Sequence, residues 1–242
     1  MSRGQPDYGM YAVKEVTASI SDMGEVAARL GSIVTYDKRG DVVEFDNFEE
    51  PVLRWSPFSP GTGYIRLSSD YHAIKSGSQG LELKTDAAAG SNAYMLKNLA
   101  VLGSRRLGLE LSCNPGNVDL ILHLQMDYNM EGKRYVAYTD FNIETGIVRL
   151  QTPDGLIEIE EIPAAGMMSN LWHTVKLVVD VDTGYYQRFL FDSSEYDISD
   201  RAIYSPDPGA FNLVVVEIGI ENIPAAAATC YVDNYVLTML EP

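Results

Sequence analysis

From residue 42 onward, apolar and polar positions alternate in short runs broken by Gly, Asn, Asp and Pro, the period-two signature of half-buried β-strands. The runs predict strands near 42–46, 63–68, 79–85, 93–102, 106–113, 118–127, 132–141, 146–152, 156–161, 171–181, 185–191, 212–220 and 228–240. Turns at Asn114-Pro115-Gly116-Asn117, Met130-Glu131-Gly132, Glu144-Thr145-Gly146, Pro153-Asp154-Gly155 and Asp182-Thr183-Gly184 offer Gly or Asn where φ must be positive. They make the flanking runs antiparallel hairpins. Within Trp172–Val181, Val175, Leu177, Val179 and Val181 share one face while Thr174, Lys176 and Asp180 take the other, which predicts one packed face and one wet face.

The first forty residues break this pattern. Gly4, Pro6 and Gly9 and a weak alternation over 11–16 read as an extended arm. The period becomes helical at about 22–30: Asp22 caps with Glu25 three residues on, Met23, Val26, Ala27 and Leu30 form a stripe, and Gly31 supplies the stop. So short an amphipathic helix needs a cover, either its own sandwich or a neighbouring subunit. The chain therefore divides into an arm with one short helix, 1–40, and an all-β antiparallel sandwich, 41–242.

The chain's 242 residues, 46% of them hydrophobic, suffice for one domain with a sizeable core. Its formal charge is −16, all of it on residues 41–242, since five basic and five acidic residues balance within 1–40. That balance argues against nucleic acid, whose phosphates need clustered Lys and Arg. No apolar run approaches the roughly 18 residues of a membrane span, and the N-terminus lacks the basic-then-apolar layout of a secretory signal. Cys113 and Cys230 have neither metal-ligand spacing nor a base partner; two buried free thiols are the expectation, with a disulfide as the alternative.

Three stretches carry a resemblance. Asp46-Asn47-Phe48-Glu49 with Trp55 opens the β region, Ser76-Gly77-Ser78-Gln79-Gly80-Leu81-Glu82-Leu83 follows, and Tyr231-Val232-Asp233-Asn234-Tyr235-Val236-Leu237 closes it. Together with Leu171-Trp172-His173-Thr174-Val175-Lys176-Leu177, Asp180, Thr183-Gly184 and Phe189-Leu190-Phe191-Asp192, they resemble the jelly-roll carbohydrate-binding modules and their laminin-G and concanavalin A-like relatives. The resemblance covers about 41–242 and implies a jelly roll. It also implies a structural Ca²⁺ where first and last strands meet, held by Glu49 and Asp233, with Asp46 and the carbonyls of 75–77 as further ligands.

Fifteen tyrosines supply the flat rings a sugar-binding face requires. If the strands near 118–127, 132–141 and 146–152 line the concave sheet, His123, Gln125, Tyr138, Arg149 and Gln151 face the ligand, with Tyr185 and Tyr186 on an adjoining loop. Sandwich glycosidases carry alternating carboxylates on one strand, and Glu158 with Glu160 is the nearest approach. No nucleophile elbow, phosphate loop or HExxH accompanies them, so a non-catalytic protein is expected.

Two functional readings follow. In the first, the arm and helix anchor or oligomerise a lectin-like sandwich on a virion, as in phage structural proteins, with other virion proteins or further copies of the chain as partners. In the second, the chain is a soluble carbohydrate-binding module. A sandwich hydrolase or lyase ranks below both. The expected location is a virion or the extracellular space.

Overall fold

The computed structural model describes residues 37, 39–100, 102–117, 119–161, 170–206, 212–223 and 226–242. The helix expected at about 22–30 lies outside the described residues. The first strands are β1 (Asp41–Asp46), β2 (Ser56–Phe58), β3 (Tyr64–Ser68), β4 (Gly80–Lys84) and β5 (Asn92–Leu99). Then come β6 (Arg106–Pro115), β7 (Leu120–Met130), β8 (Lys133–Asn142), β9 (Ile147–Thr152) and β10 (Gly155–Glu161). The last are β11 (His173–Asp180), β12 (Tyr185–Phe191), β13 (Ser194–Asp197), β14 (Leu213–Asn222) and β15 (Thr229–Met239).

They form two antiparallel sheets. The first runs β13-β12-β11-β6-β15-β4-β3 with β1 also paired to β15, and the second runs β10-β9-β8-β7-β14-β5-β2. Leu107, Leu109 and Leu111 of β6 and Val175, Leu177 and Val179 of β11 meet Leu122, Leu124 and Met126 of β7 and Val214, Val216 and Ile218 of β14 in one hydrophobic core. Such interdigitated inner faces are what hold a sandwich together.

β15 does double duty through a bulge. Its first half pairs with β4, the register shifts between Asp233 and Val236, and its second half pairs with β1. Asn234 takes φ 53° at the shift, a backbone conformation Asn tolerates better than most residues. The strand can thereby serve two partners on one edge.

One expectation about β11 fails. Thr174, Lys176 and Asp180 do not face water: every residue of β11 is buried. Lys176 Nζ lies 2.9 Å from Asp37 Oδ2 and 2.7 Å from Glu241 Oε1, and Lys75 Nζ reaches Thr174 Oγ1 at 3.2 Å. Chain segments from both ends of the domain thus cover the outer face of the first sheet. Asp37, within the segment assigned to the arm, is part of that cover. β2 and β13 have no predicted counterpart; both are short edge strands, β2 holds Pro57 and is exposed throughout, so neither carries a burial alternation.

Candidate functional site

The outer face of the second sheet gathers the polar and aromatic positions. The register aligns Phe58 (β2), Tyr94 (β5), Gly219 (β14), His123 (β7), Asp140 (β8), Arg149 (β9) and Glu158 (β10) into one row across all seven strands. Beside it run Leu96, Glu217, Gln125 and Tyr138, with Gln151 two residues beyond Arg149 on β9.

Each position has a local cause. Phe58 and Tyr94 stack with centroids 4.8 Å apart and planes 30° apart, and His123 and Tyr138 stack at 6.0 Å and 26°. Gly219 sits between the pairs. A Cβ there would lie 2.2 Å from His123 Nε2 and 2.5 Å from Tyr94 Cβ, so only glycine lets both side chains close over the strand. Arg149 grips Asp140 with Nε and Nη2 at 2.8 and 2.9 Å, a bidentate pair that fixes the guanidinium plane. Arg134 and Gln125 both donate to Asp127, Gln125 at 2.9 Å. The Tyr138 phenol is held above its ordinary pKa by burial and then by the carboxylates of Asp140, Glu221 and Glu217.

Five residues expected to share a binding surface therefore do share this face: His123, Gln125, Tyr138, Arg149 and Gln151. Tyr185 and Tyr186 do not. They open β12 of the other sheet rather than lying on an adjoining loop. Tyr186 is fully buried; its hydroxyl receives the Tyr138 N–H at 3.1 Å and lies 2.8 Å from the Gln151 carbonyl, where β8 and β9 separate. It positions the backbone of two face residues while its own ring lies in the core. Phe58, Tyr94, Glu217 and Glu221 were not among the expected site residues. The readable signal was Gly219, an isolated glycine inside an apolar strand, which marks close approach.

The proposed calcium ligands are already engaged. Asp46 accepts from Phe48 N at 2.9 Å and Trp55 Nε1 at 3.0 Å. Glu49 accepts from the Ser78 and Gln79 amides at 2.8 and 3.1 Å and from Ser78 Oγ at 2.6 Å. Asp233 accepts from the Lys75, Ser76 and Asn234 amides at 3.0, 3.0 and 2.8 Å. The 75–79 loop thus turns amide protons toward Glu49 and Asp233, bonds that hold the loop against the strand ends. Among the described residues no three His, Cys, Asp or Glu side chains gather as a metal site.

Glu158 is exposed on edge strand β10, and the strand's register shifts between Glu158 and Glu160, so strict alternation does not carry across the two positions. Cys113 and Cys230 are free and buried.

No family model matches the chain, and no curated protein matches it. Among solved structures it is similar to an endo-β-1,4-glucuronan lyase from the fungus Trichoderma reesei, at 10% identity and TM-score 0.56, covering 82% of this chain and 95% of that one. It is also similar to a protein of unknown function with a galectin-like fold from Bacillus subtilis, at 10% identity and TM-score 0.51, covering 84% and 97%. The likeness is one of fold, and the fold is a jelly-roll, concanavalin A-like β-sandwich.

Proposed function

We propose that the protein is a non-catalytic glycan-binding module whose binding surface is the outer face of the second sheet. The observation that carries this reading is the row of rings, Phe58, Tyr94, His123 and Tyr138, set beside Gln125, Gln151 and Arg149. Flat rings stack on the apolar C–H faces of sugars, while planar amides and a fixed guanidinium bind hydroxyls. Rings on β2, β5, β7 and β8 with Arg149 beyond them on β9 suit an extended saccharide better than a single sugar.

Catalysis is not part of the reading. A glycosidase needs two carboxyl groups facing the substrate, one of them free to give a proton. The buried carboxylates of this face, Asp140 and Asp127, are each tied to an arginine, and the outward Glu217 and Glu221 stand four positions apart on one strand, roughly 13 Å, too far to flank one glycosidic bond.

A specific observation supports display of this face from a larger assembly. Asp37 is fixed to Lys176 and Arg188 on the outer face of the first sheet, the side opposite the aromatic row. Asp37 thus meets the domain on its back, away from the row. Attachment to a virion or to further copies of the chain, through residues 1–36, is the wider setting proposed for the module. Light scattering of the full chain beside a chain starting at Asp37 tests it: equal monomeric masses would remove the self-association part.

Glycan binding is tested with Tyr94→Ala and Tyr138→Ala, read by calorimetry against whichever saccharide a glycan array returns. Each should weaken binding at least about tenfold, or ~1.4 kcal/mol, while Tyr185→Ala on the other sheet changes nothing. Equal losses from all three would refute the assignment of the face.

A further inference from the structure

We propose that this face selects its saccharide by charge, favouring sugars that carry a free amine, accepting neutral ones and rejecting uronates. The inference rests on the glycan-binding reading and adds the class of ligand. Both guanidinium groups of the face are already committed, Arg149 to Asp140 and Arg134 to Asp127. Glu217 and Glu221 stand on β14 on either side of Gly219, at outward positions, and neither pairs with a lysine or arginine among the described residues. Four residues of strand separate them, roughly 13 Å, so each would meet a different sugar of an extended chain.

A second observation marks the same spot. His123 is only 6% exposed, and its Nε2 has no hydrogen-bond partner although Glu217 Oε1 lies 3.4 Å away. Buried polar atoms are normally satisfied. A ring nitrogen without a hydrogen bond, beside a carboxylate with no lysine or arginine partner among the described residues and bordered by the rings of Tyr94 and Tyr138, is therefore a place where a ligand hydroxyl or ammonium completes the bonding. The field there is negative, as the upward shift of the Tyr138 phenol by Asp140, Glu221 and Glu217 records once burial is counted. A uronate carboxylate would enter that field with no uncommitted arginine or lysine to meet it among the described residues of the face; an ammonium would be drawn in.

The test is an array carrying glucosamine oligomers, their N-acetylated counterparts, neutral glucans and galactans, and oligoglucuronates, probed with the wild-type chain and with a Glu217→Gln/Glu221→Gln double variant of matching melting temperature. The expected result is amine over neutral by about tenfold at low salt, narrowing as salt shortens the screening length below ~10 Å, with the uronates blank. In the double variant the amine preference should disappear and uronate signal should emerge. Uronates bound as strongly as neutral glycans by the wild type would overturn charge selection while leaving glycan binding standing. So would a double variant whose ranking is unchanged. No binding of any class would overturn both.

Discussion

Replacing Asp37 by Ala removes one corner of a buried four-charge cluster. Lys176 Nζ meets Asp37 at 2.9 Å and Glu241 at 2.7 Å. Arg188 meets Asp37 at 3.4 Å, bonds Glu241, and donates to the Pro242 carbonyl at 2.8 Å. These two cations and two carboxylates balance, and all four side chains are at least nine-tenths buried, while the more exposed Arg39, 2.7 Å from Asp37, has Glu195 as its further partner. Without Asp37, two cations share one carboxylate with almost no water available. Breaking a buried pair in this way costs about 3–5 kcal/mol. For a domain of this size that lowers the melting temperature by roughly 6–20 °C. Glu195→Ala is the comparison at the cluster's rim: Glu195 bonds Arg39 at 2.7 Å and stands 4.0 Å from Arg188, but its side chain is 47% exposed, so its loss should cost about 0–1 kcal/mol.

The same carboxylate gives the prediction a pH signature. Burial pushes the Asp37 carboxyl up, but the Lys176 charge and hydrogen bonds from Arg39 and Lys176 together pull it lower, from 3.8 to about 2. The folded pKa is below the unfolded one, so this stabilisation is present above about pH 4 and is lost as pH falls toward 2. Calorimetry of wild type and Asp37→Ala at pH 7 and across that acid limb measures both effects. A loss below 1 kcal/mol, or one no larger than that of Glu195→Ala, would show that the cluster is not the dry, charge-balanced site described.

Burial raises Asp233 from 3.8 to about 6, against amide bonds from Ser76, Asn234 and Lys75. Its contribution is therefore lost as pH rises through 6; from pH 7 to 5 the wild type should gain about 1 kcal/mol that Asp233→Asn does not, read as the difference in melting temperature. A chelator should shift the melting temperature by less than about 1 °C, because backbone amides already hold the carboxylates of Glu49 and Asp233 in place; a shift of several degrees would show that an ion holds them as well. Burial pushes the Cys230 thiol up to about 12 and the Cys113 thiol well up too, so neither should react with a disulfide reagent in native protein at pH 8, and both should react once it is unfolded. Tyr186→Phe strands the Tyr138 amide and should cost about 1–3 kcal/mol and weaken saccharide binding although its ring lies in the core.

From residue 42 onward each run of alternation in the sequence has its strand, because a period of two is local information. His123, Gln125, Tyr138, Arg149 and Gln151 were legible for the same reason: β7, β8 and β9 are successive strands joined by short turns, so the phase of one fixes the phase of the next. Tyr94 and Phe58 join the row only through β14, which pairs with β5 more than a hundred residues away, and no local pattern announces that partner. Tyr186 looked like a ligand residue because a tyrosine at the start of a strand is equally at home on either face. Its burial follows from the gap between β8 and β9 that its hydroxyl fills. Lys176 misled in the opposite direction. A lysine on an alternating strand signals water unless its counter-charges are known, and here one stands 139 residues upstream in Asp37. Charge and register over long separations decided where the sequence reading stopped, and both converge on β14: its glycine makes room for two side chains that no spacing rule connects, between the two glutamates left without an arginine.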